Sequence, residues 1–363
     1  MKDPTLDPES DCPKSTPRPK RPGRWRIPAS RNGVKARNFR LFWRKLKLVI
    51  QIPAWNEEAQ IAAAVRELPR TVEGFDSVEI LVIDDGSTDA TSREARAAGA
   101  DHVVRLPIHQ GLAAAWRAGL DACLRLGADV IVSTDADRQY AADDVGKLVA
   151  PILAGEAEFV VGDRGVATKP DFSMSKRWMQ RLGSWAVRRA SGADVPDATS
   201  GFRALTRGAA LRLNVFSKMT YTIETLIQAG TKEMAVASVK VGTNSPVRPS
   251  RLFRRTSDYV LIQGANILRM TALYKPLPVF FGLAALLFGG GMLLVGRYLW
   301  FVAANQNPAG HIQSLLLAAV LFLAATISFL TGLLADLISI NRALLEEVLV
   351  RLRKSESGPD DRA

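Results

Sequence analysis

Between residues 46 and 165, short solid apolar runs alternate with stretches whose apolar positions recur every three to four residues. LKLVIQI (46–52), VEILVID (78–84), HVVRLPI (102–108) and ADVIVST (128–134) read as buried strands. EEAQIAAAVREL (57–68), DATSREARAAGA (89–100), GLAAAWRAGLDACLRLG (111–127) and AADDVGKLVAPILAG (141–155) read as helices between them. Glu57 and Glu58 are expected in the first turn of the first helix, where the dipole favours acids. Regular strand–helix alternation predicts an α/β fold, a parallel sheet covered by helices on both faces and doubly wound through right-handed crossovers.

In such a sheet ligands bind beyond the carboxyl ends of the strands. The polar clusters that follow the strands are Pro53-Ala54-Trp55-Asn56-Glu57, Asp84-Asp85-Gly86-Ser87 and Asp135-Ala136-Asp137-Arg138-Gln139, and they are expected to converge on one edge.

The pattern changes in the last third. Residues 276–296 hold 21 positions without a charge and 312–335 hold 24. Each crosses a hydrocarbon core of ~30 Å as a helix. The short connector 297–311 makes the pair a transmembrane hairpin, and an amphipathic helix is expected just before it. Basic residues flank both outer ends (Arg251, Arg254, Arg255, Arg269 and Lys275; Arg342, Arg351, Arg353 and Lys354), whereas the connector carries only Arg297. That asymmetry puts the N-terminal domain and both termini on the cytoplasmic side. The expected division is a basic disordered tail (1–44), a catalytic domain (45–250), a juxtamembrane helix region (251–275), the hairpin (276–338) and a cytoplasmic C-terminal helix with its tail (339–363).

Charge refines this picture. Of the formal net charge of +12, residues 1–47 supply +10, with 14 Lys/Arg against 4 Asp/Glu. The basic arm either meets anionic lipid headgroups or is simply solvated; nucleic acid is not expected as a partner. No signal-peptide-like apolar run opens the sequence, and two cysteines, Cys12 and Cys123, give no disulfide framework. Alanine- and arginine-rich composition suggests a GC-rich bacterium, hence its plasma membrane.

Asp135 and Asp137 stand one apart after a strand. Carboxylates so placed raise each other's pKa unless a cation lies between them, and hard oxygen ligands suit Mg²⁺ or Mn²⁺ held with substrate phosphates. Asp84-Asp85 at a neighbouring strand end strengthens the case for a metal–diphosphate site. Zinc ligand clusters and a phosphate-binding G-x-x-x-x-G-K-[ST] loop are both missing from the sequence. His109, in the HQG turn, reads as a cap or turn residue.

IPAWNEEAQI, EILVIDDGSTDAT and HQGLAAAWRAGLDACLRLGADVIVSTDADRQY together resemble the nucleotide-sugar (GT-A-type) domain of glycosyltransferase family 2. VVGDRG, DATSGFRALTRG, YTIETLIQAG and VRPSRLFR, followed by two membrane helices, resemble its branch that glycosylates polyprenyl phosphates, typified by dolichyl-phosphate mannose synthase. The resemblance implies a nucleotide pocket lined by Pro53, Trp55 and Glu57, with Asp84 and Asp85 near the base. Trp55 stands where a tyrosine is commoner, as a stacking or a packing residue. It further implies metal and diphosphate contacts at Asp135, Asp137 and Gln139. Acceptor-phosphate contacts are implied among Arg164, Arg177, Arg181, Arg203, Arg248 and Arg251. Asp197 joins Asp135 and Asp137 in the implied catalytic set, orienting through an arginine rather than abstracting a proton, and Glu224 is expected to be structural.

The implied reaction is inverting transfer of a hexose from a GDP- or UDP-linked donor to a polyprenyl phosphate at the cytoplasmic face. A processive polysaccharide synthase would need more membrane helices and a Q-x-x-R-W segment, and QRLGSW lacks that spacing. A non-catalytic scaffold would not need acids at three strand ends. Self-association through the Gly289-Gly290-Gly291 run stays open as a route to a homo-oligomer.

Overall fold

The computed structural model describes residues 45–165, 195–216, 221–244, 269, 271–274, 276–304 and 312–356. The basic tail, most of the juxtamembrane region, and Arg177, Arg181, Arg248 and Arg251 lie outside the described residues.

Seven strands form one sheet: β1 (Lys47–Ala54), β2 (Ser77–Asp84), β3 (His102–Arg105), β4 (Val130–Ser133), β5 (Phe159–Asp163), β6 (Arg203–Thr206) and β7 (Val236–Lys240), in the order β3-β2-β1-β4-β6-β5-β7. The helices among the described residues of the domain are α1 (Ile61–Glu67), α2 (Thr91–Ala97), α3 (Leu112–Arg125), α4 (Val145–Leu153), α5 (Arg207–Arg212) and α6 (Thr222–Thr231). Two apolar cores, one on each face, bury Val49, Leu81 and Ile131 with α3 and α6 on one side, and Leu48, Ile50 and Val132 with α1 and α4 on the other. Alternate residues of β1 thus serve opposite cores, which is why Leu48, Val49, Ile50 and Ile52 are all apolar.

The wholly parallel sheet expected from the alternation is corrected by β6, which runs antiparallel between β4 and β5. This matters for the site. Register Ser133↔Arg203 sets the start of β6 against the end of β4, so the loop entering β6 reaches the edge where β1, β2, β4 and β5 finish. Glu57 and Glu58 also depart from expectation: they precede α1 in a turn, where Glu57 O accepts from Gln60 and Ile61.

Close packing of α3 needs Gly119, because a Cβ there would strike Gln51 Oε1 and come within 2.6 Å of Ile83. Beneath it Ser133 Oγ accepts from Gln51 at 2.7 Å and from the Trp116 indole at 2.9 Å. A buried polar group must be paired, and this pairing fixes the end of β4 next to Asp135.

The C-terminal helices are α7 (Pro276–Ala303) and α8 (Ile312–Glu356). Both are long and apolar enough to cross a membrane, and their outer faces are bare: Leu286 and Leu293 are each 72 % exposed. Such faces require lipid, so the pair associates the chain with a membrane. The hairpin is held by Gly291 against Phe322, Gly332 against Phe280, and the Ser328 hydroxyl donating to Phe280 O at 3.1 Å. The glycine run therefore serves packing within the hairpin at Gly291. The second helix does not stop near residue 338 but continues unbroken to Glu356.

Candidate active site

Two strand-end loops are laced together. Asn56 N–H donates to Ser87 Oγ and Glu57 N–H to Thr91 Oγ1, both at 2.9 Å, while Thr88 N–H donates to Asn56 Oδ1 at 2.9 Å. Glu58 accepts from Ala90 N–H at 3.0 Å, so it caps α2 rather than its own helix.

Asp84 and Asp85, expected near the base, are both committed within the fold. Asp84 is fully buried; it accepts from Ser87 N–H at 2.8 Å and from the Ser92 hydroxyl. Asp85, 2 % exposed, accepts from Gln110 N–H at 2.9 Å, Gly111 N–H at 2.8 Å and His109 Nδ1 at 2.8 Å. An anion at the start of α3 satisfies amides that the helix leaves unpaired. Gly86 makes this approach possible: its φ is +67° and a Cβ would lie 2.6 Å from His109 N. Both acids thus shape the loop at this edge, whatever further contact they make with a ligand.

His109 then enters the site unexpectedly. Its ring stacks on Trp55, centroids 4.0 Å apart and planes 19° from parallel, and Trp55 keeps 41 % of its surface exposed. Trp55 is accordingly an edge aromatic, not a core residue. Sequence spacing gave no sign of this pair, since the two positions belong to loops after different strands. Pro53 is buried in β1, just past the point where pairing with β4 ends at Gln51↔Ser133, so its missing N–H leaves that ladder intact.

Asp135 and Asp137 follow β4. Burial first and the Asp137 charge second push the Asp135 carboxyl up to about 7, against the pull of Arg164 and Arg203. Gly201, in the loop entering β6, lies directly against it: a Cβ there would sit 2.8 Å from Asp135 Oδ2. Gly201 N–H donates to the Tyr140 hydroxyl at 2.8 Å and its carbonyl accepts from Tyr221 at 3.3 Å. Two hard carboxylates, one of them destabilised as an anion by burial and its neighbour, fit a divalent cation whose remaining ligands come from a diphosphate. Among the described residues no third acid, histidine or cysteine joins them.

Across the edge, Arg164 after β5 grips Asp197 through Nε at 2.6 Å and Nη2 at 3.1 Å, and also donates to Thr199 at 3.0 Å. Burial alone would raise the Asp197 carboxyl, but the Arg164 hydrogen bonds and charge overcome it and hold Asp197 below its ordinary value. Gln139, implied as a metal position, points its carbonyl oxygen at Arg164 Nη1, 3.2 Å away. Its backbone N–H donates to Asp137 Oδ1 at 3.1 Å, so Gln139 stands between the paired acids and the Arg164 guanidinium.

Arg203 lies deeper. It is fully buried, and donates to the carbonyls of Ser200, Thr222 and Ala198 at 2.7, 2.7 and 2.9 Å. Its guanidinium builds the loop that carries Gly201. Arg203→Met should therefore lower stability by about 3 kcal/mol or more, since each stranded buried acceptor costs about 1–3 kcal/mol. Thermal melting in detergent checks this; an unchanged melt with weakened acceptor binding would restore the phosphate role. Glu224 is buried and accepts from Phe216 N–H at 3.0 Å, a structural position.

The sheet thus sets paired acids after β4 and an exposed aromatic after β1 on the same edge. The model of glycosyl transferase family 2 matches residues 49–213. A glycosyltransferase of Haloferax volcanii, AglJ, is 31% identical over 316 residues, covering 82% of this chain and 96% of that protein. Polyprenol monophosphomannose synthase of Mycolicibacterium smegmatis is 32% identical over 168 residues, 44% of this chain and 62% of that protein. UDP-N-acetylglucosamine–dolichyl-phosphate N-acetylglucosaminyltransferase of Methanococcus voltae is 30% identical over 178 residues, 44% of this chain and 68% of that protein. The chain belongs to glycosyl transferase family 2, and it is a glycosyltransferase.

Proposed function

We propose that this enzyme transfers one hexose, with inversion, from a GDP- or UDP-linked donor to a polyprenyl phosphate at the cytoplasmic face of its membrane. The observation that carries the reading is the union, in one chain, of the Asp135–Asp137 edge with a bare apolar hairpin whose outer flanks are basic. Relatives named for polyprenol and dolichyl phosphate acceptors support the lipid; their different sugars leave the donor to experiment.

A phosphate oxygen is already anionic near neutral pH, so attack on the anomeric carbon needs no strong general base. The bond between that carbon and the nucleotide diphosphate breaks as the new glycosyl–phosphate bond forms. Mg²⁺ or Mn²⁺ held by Asp135 and Asp137 would offset charge on the departing diphosphate. Trp55 with His109 offers a face for the base. Arg164, oriented by Asp197, holds fixed positive charge where an acceptor phosphate must approach the anionic donor. Asp197 is thus a positioning residue.

The test is a panel of radiolabelled nucleotide sugars given to the full-length protein in membranes containing polyprenyl phosphate. Label from one donor should pass into the organic phase and be released by mild acid, as a glycosyl phosphodiester is. Label that stays aqueous with every donor, or enters a polymer, would overturn the reading.

A further inference from the structure

The C-terminal part of α8 meets the domain beside α3, the end of α6 and residues 211–216. α8 has 45 residues, about 67 Å at 1.5 Å each, whereas the hydrocarbon core is ~30 Å thick. Its uncharged stretch ends at Ala335, so residues 336–356 project from the bilayer as a continuation of the same rod.

One face of that projection is docked. Val350 packs against the apolar core under α3 and α6. Glu346 pairs with Lys232, which caps the end of α6, at 2.6 Å and accepts from Arg342 Nε at 2.9 Å. Arg342 lies over the rings of Phe216 and Tyr274, 5.0 and 4.0 Å from their centroids, and donates to the Tyr274 hydroxyl. Arg353 donates to Leu213 O and Asn214 Oδ1, each at 3.1 Å, and pairs with Asp121 of α3 at 3.4 Å. These side chains are mostly shielded: Arg342, Glu346 and Arg353 keep only 17, 11 and 15 % of their surface. Exposed ion pairs contribute little, but a shielded network of fixed geometry specifies one arrangement over others.

Tyr274 stands two residues before α7 begins at Pro276, so the entry and the exit of the hairpin are tied to the same cluster. The docked segment is in turn latched to the site. Asn214 N–H donates to Gln228 and Phe216 N–H to Glu224, each at 3.0 Å, and both acceptors belong to α6. Tyr221, at the head of α6, bonds to Gly201, the glycine set against Asp135.

We propose that residues 336–356 are a mount that fixes the height and tilt of the active site above the bilayer, with Arg342, Glu346 and Arg353 as positioning residues for a membrane-held acceptor. The inference rests on the polyprenyl-phosphate reading given above. A lipid phosphate lies at one depth, while a domain on a loose tether samples many. A rigid mount removes that freedom before the reactants meet, which raises their effective concentration.

Two measurements on the full-length protein in lipid nanodiscs test it. In the first, a fluorophore on the domain and a labelled headgroup report the distribution of domain–bilayer distances. Glu346→Lys should broaden a narrow distribution, and the swap Lys232→Glu with Glu346→Lys should narrow it again. A distribution as narrow in Glu346→Lys as in wild type overturns the mount, whatever the enzyme transfers. In the second, kcat/KM is compared for long-chain polyprenyl phosphate in the bilayer and a short-chain, water-dispersed prenyl phosphate. Glu346→Lys should lose tenfold or more on the first and less than twofold on the second, with the donor KM unchanged and the swapped pair recovering most of the loss. Equal losses on both acceptors, unrepaired by the swap, would make the cluster merely structural and overturn the proposal.

Discussion

Asp137→Asn is expected to cut sugar transfer about 100- to 1,000-fold, the range for losing one group that stabilises charge developing in the transition state. The amide keeps the shape of the side chain and removes the charge. The same change takes away the like charge that helps push the Asp135 carboxyl up to about 7. Relief of repulsion means the fold should melt no lower than wild type. Turnover and thermal melting measured together therefore separate the electrostatic role from a folding defect. Undiminished turnover, with divalent ions chelated away, would contradict the assignment of this edge.

Gly201→Ala has the second largest expected effect, although the residue bears no functional group. A Cβ would lie 2.8 and 3.0 Å from the two Asp135 oxygens. Both the loop, held through Tyr140 and Tyr221, and the carboxylate, set after β4, resist the intrusion. Misplacing a reacting group by an ångström costs roughly 100-fold, so a loss of that order in kcat is expected. Gly208→Ala is the matched control, because its nearest neighbour would be Thr206 Oγ1 at 3.8 Å, an ordinary contact. Equal activity of the two variants would remove Gly201 from the site.

Much of this was legible in the sequence. β1, β2 and β4 are solid apolar runs with a polar cluster after each, and buried parallel strands admit little else. β5, β6 and β7 escaped because FVVGD, RALT and VASVK are only four or five residues long, and a strand slipped antiparallel between β4 and β5 is set by tertiary pairing. The burial of Arg203 is hidden for that reason: in sequence it is a cation beside polar residues, and only β6 pairing sets it among carbonyls. Asp85 and His109 lie 24 residues apart, so their pairing had no local trace. The continuation of α8 left a signal, since no glycine or proline stands between Asp336 and Gly358, and the expected hairpin and C-terminal helix are one unbroken helix across residue 338.

The mass of the lipid product tests the central claim most directly. Purified full-length enzyme, its preferred nucleotide sugar and a single polyprenyl phosphate should give one new lipid, heavier by one sugar residue, with one nucleoside diphosphate released for each. A lipid of unchanged mass beside consumed donor, or a ladder of added sugars, would contradict the account.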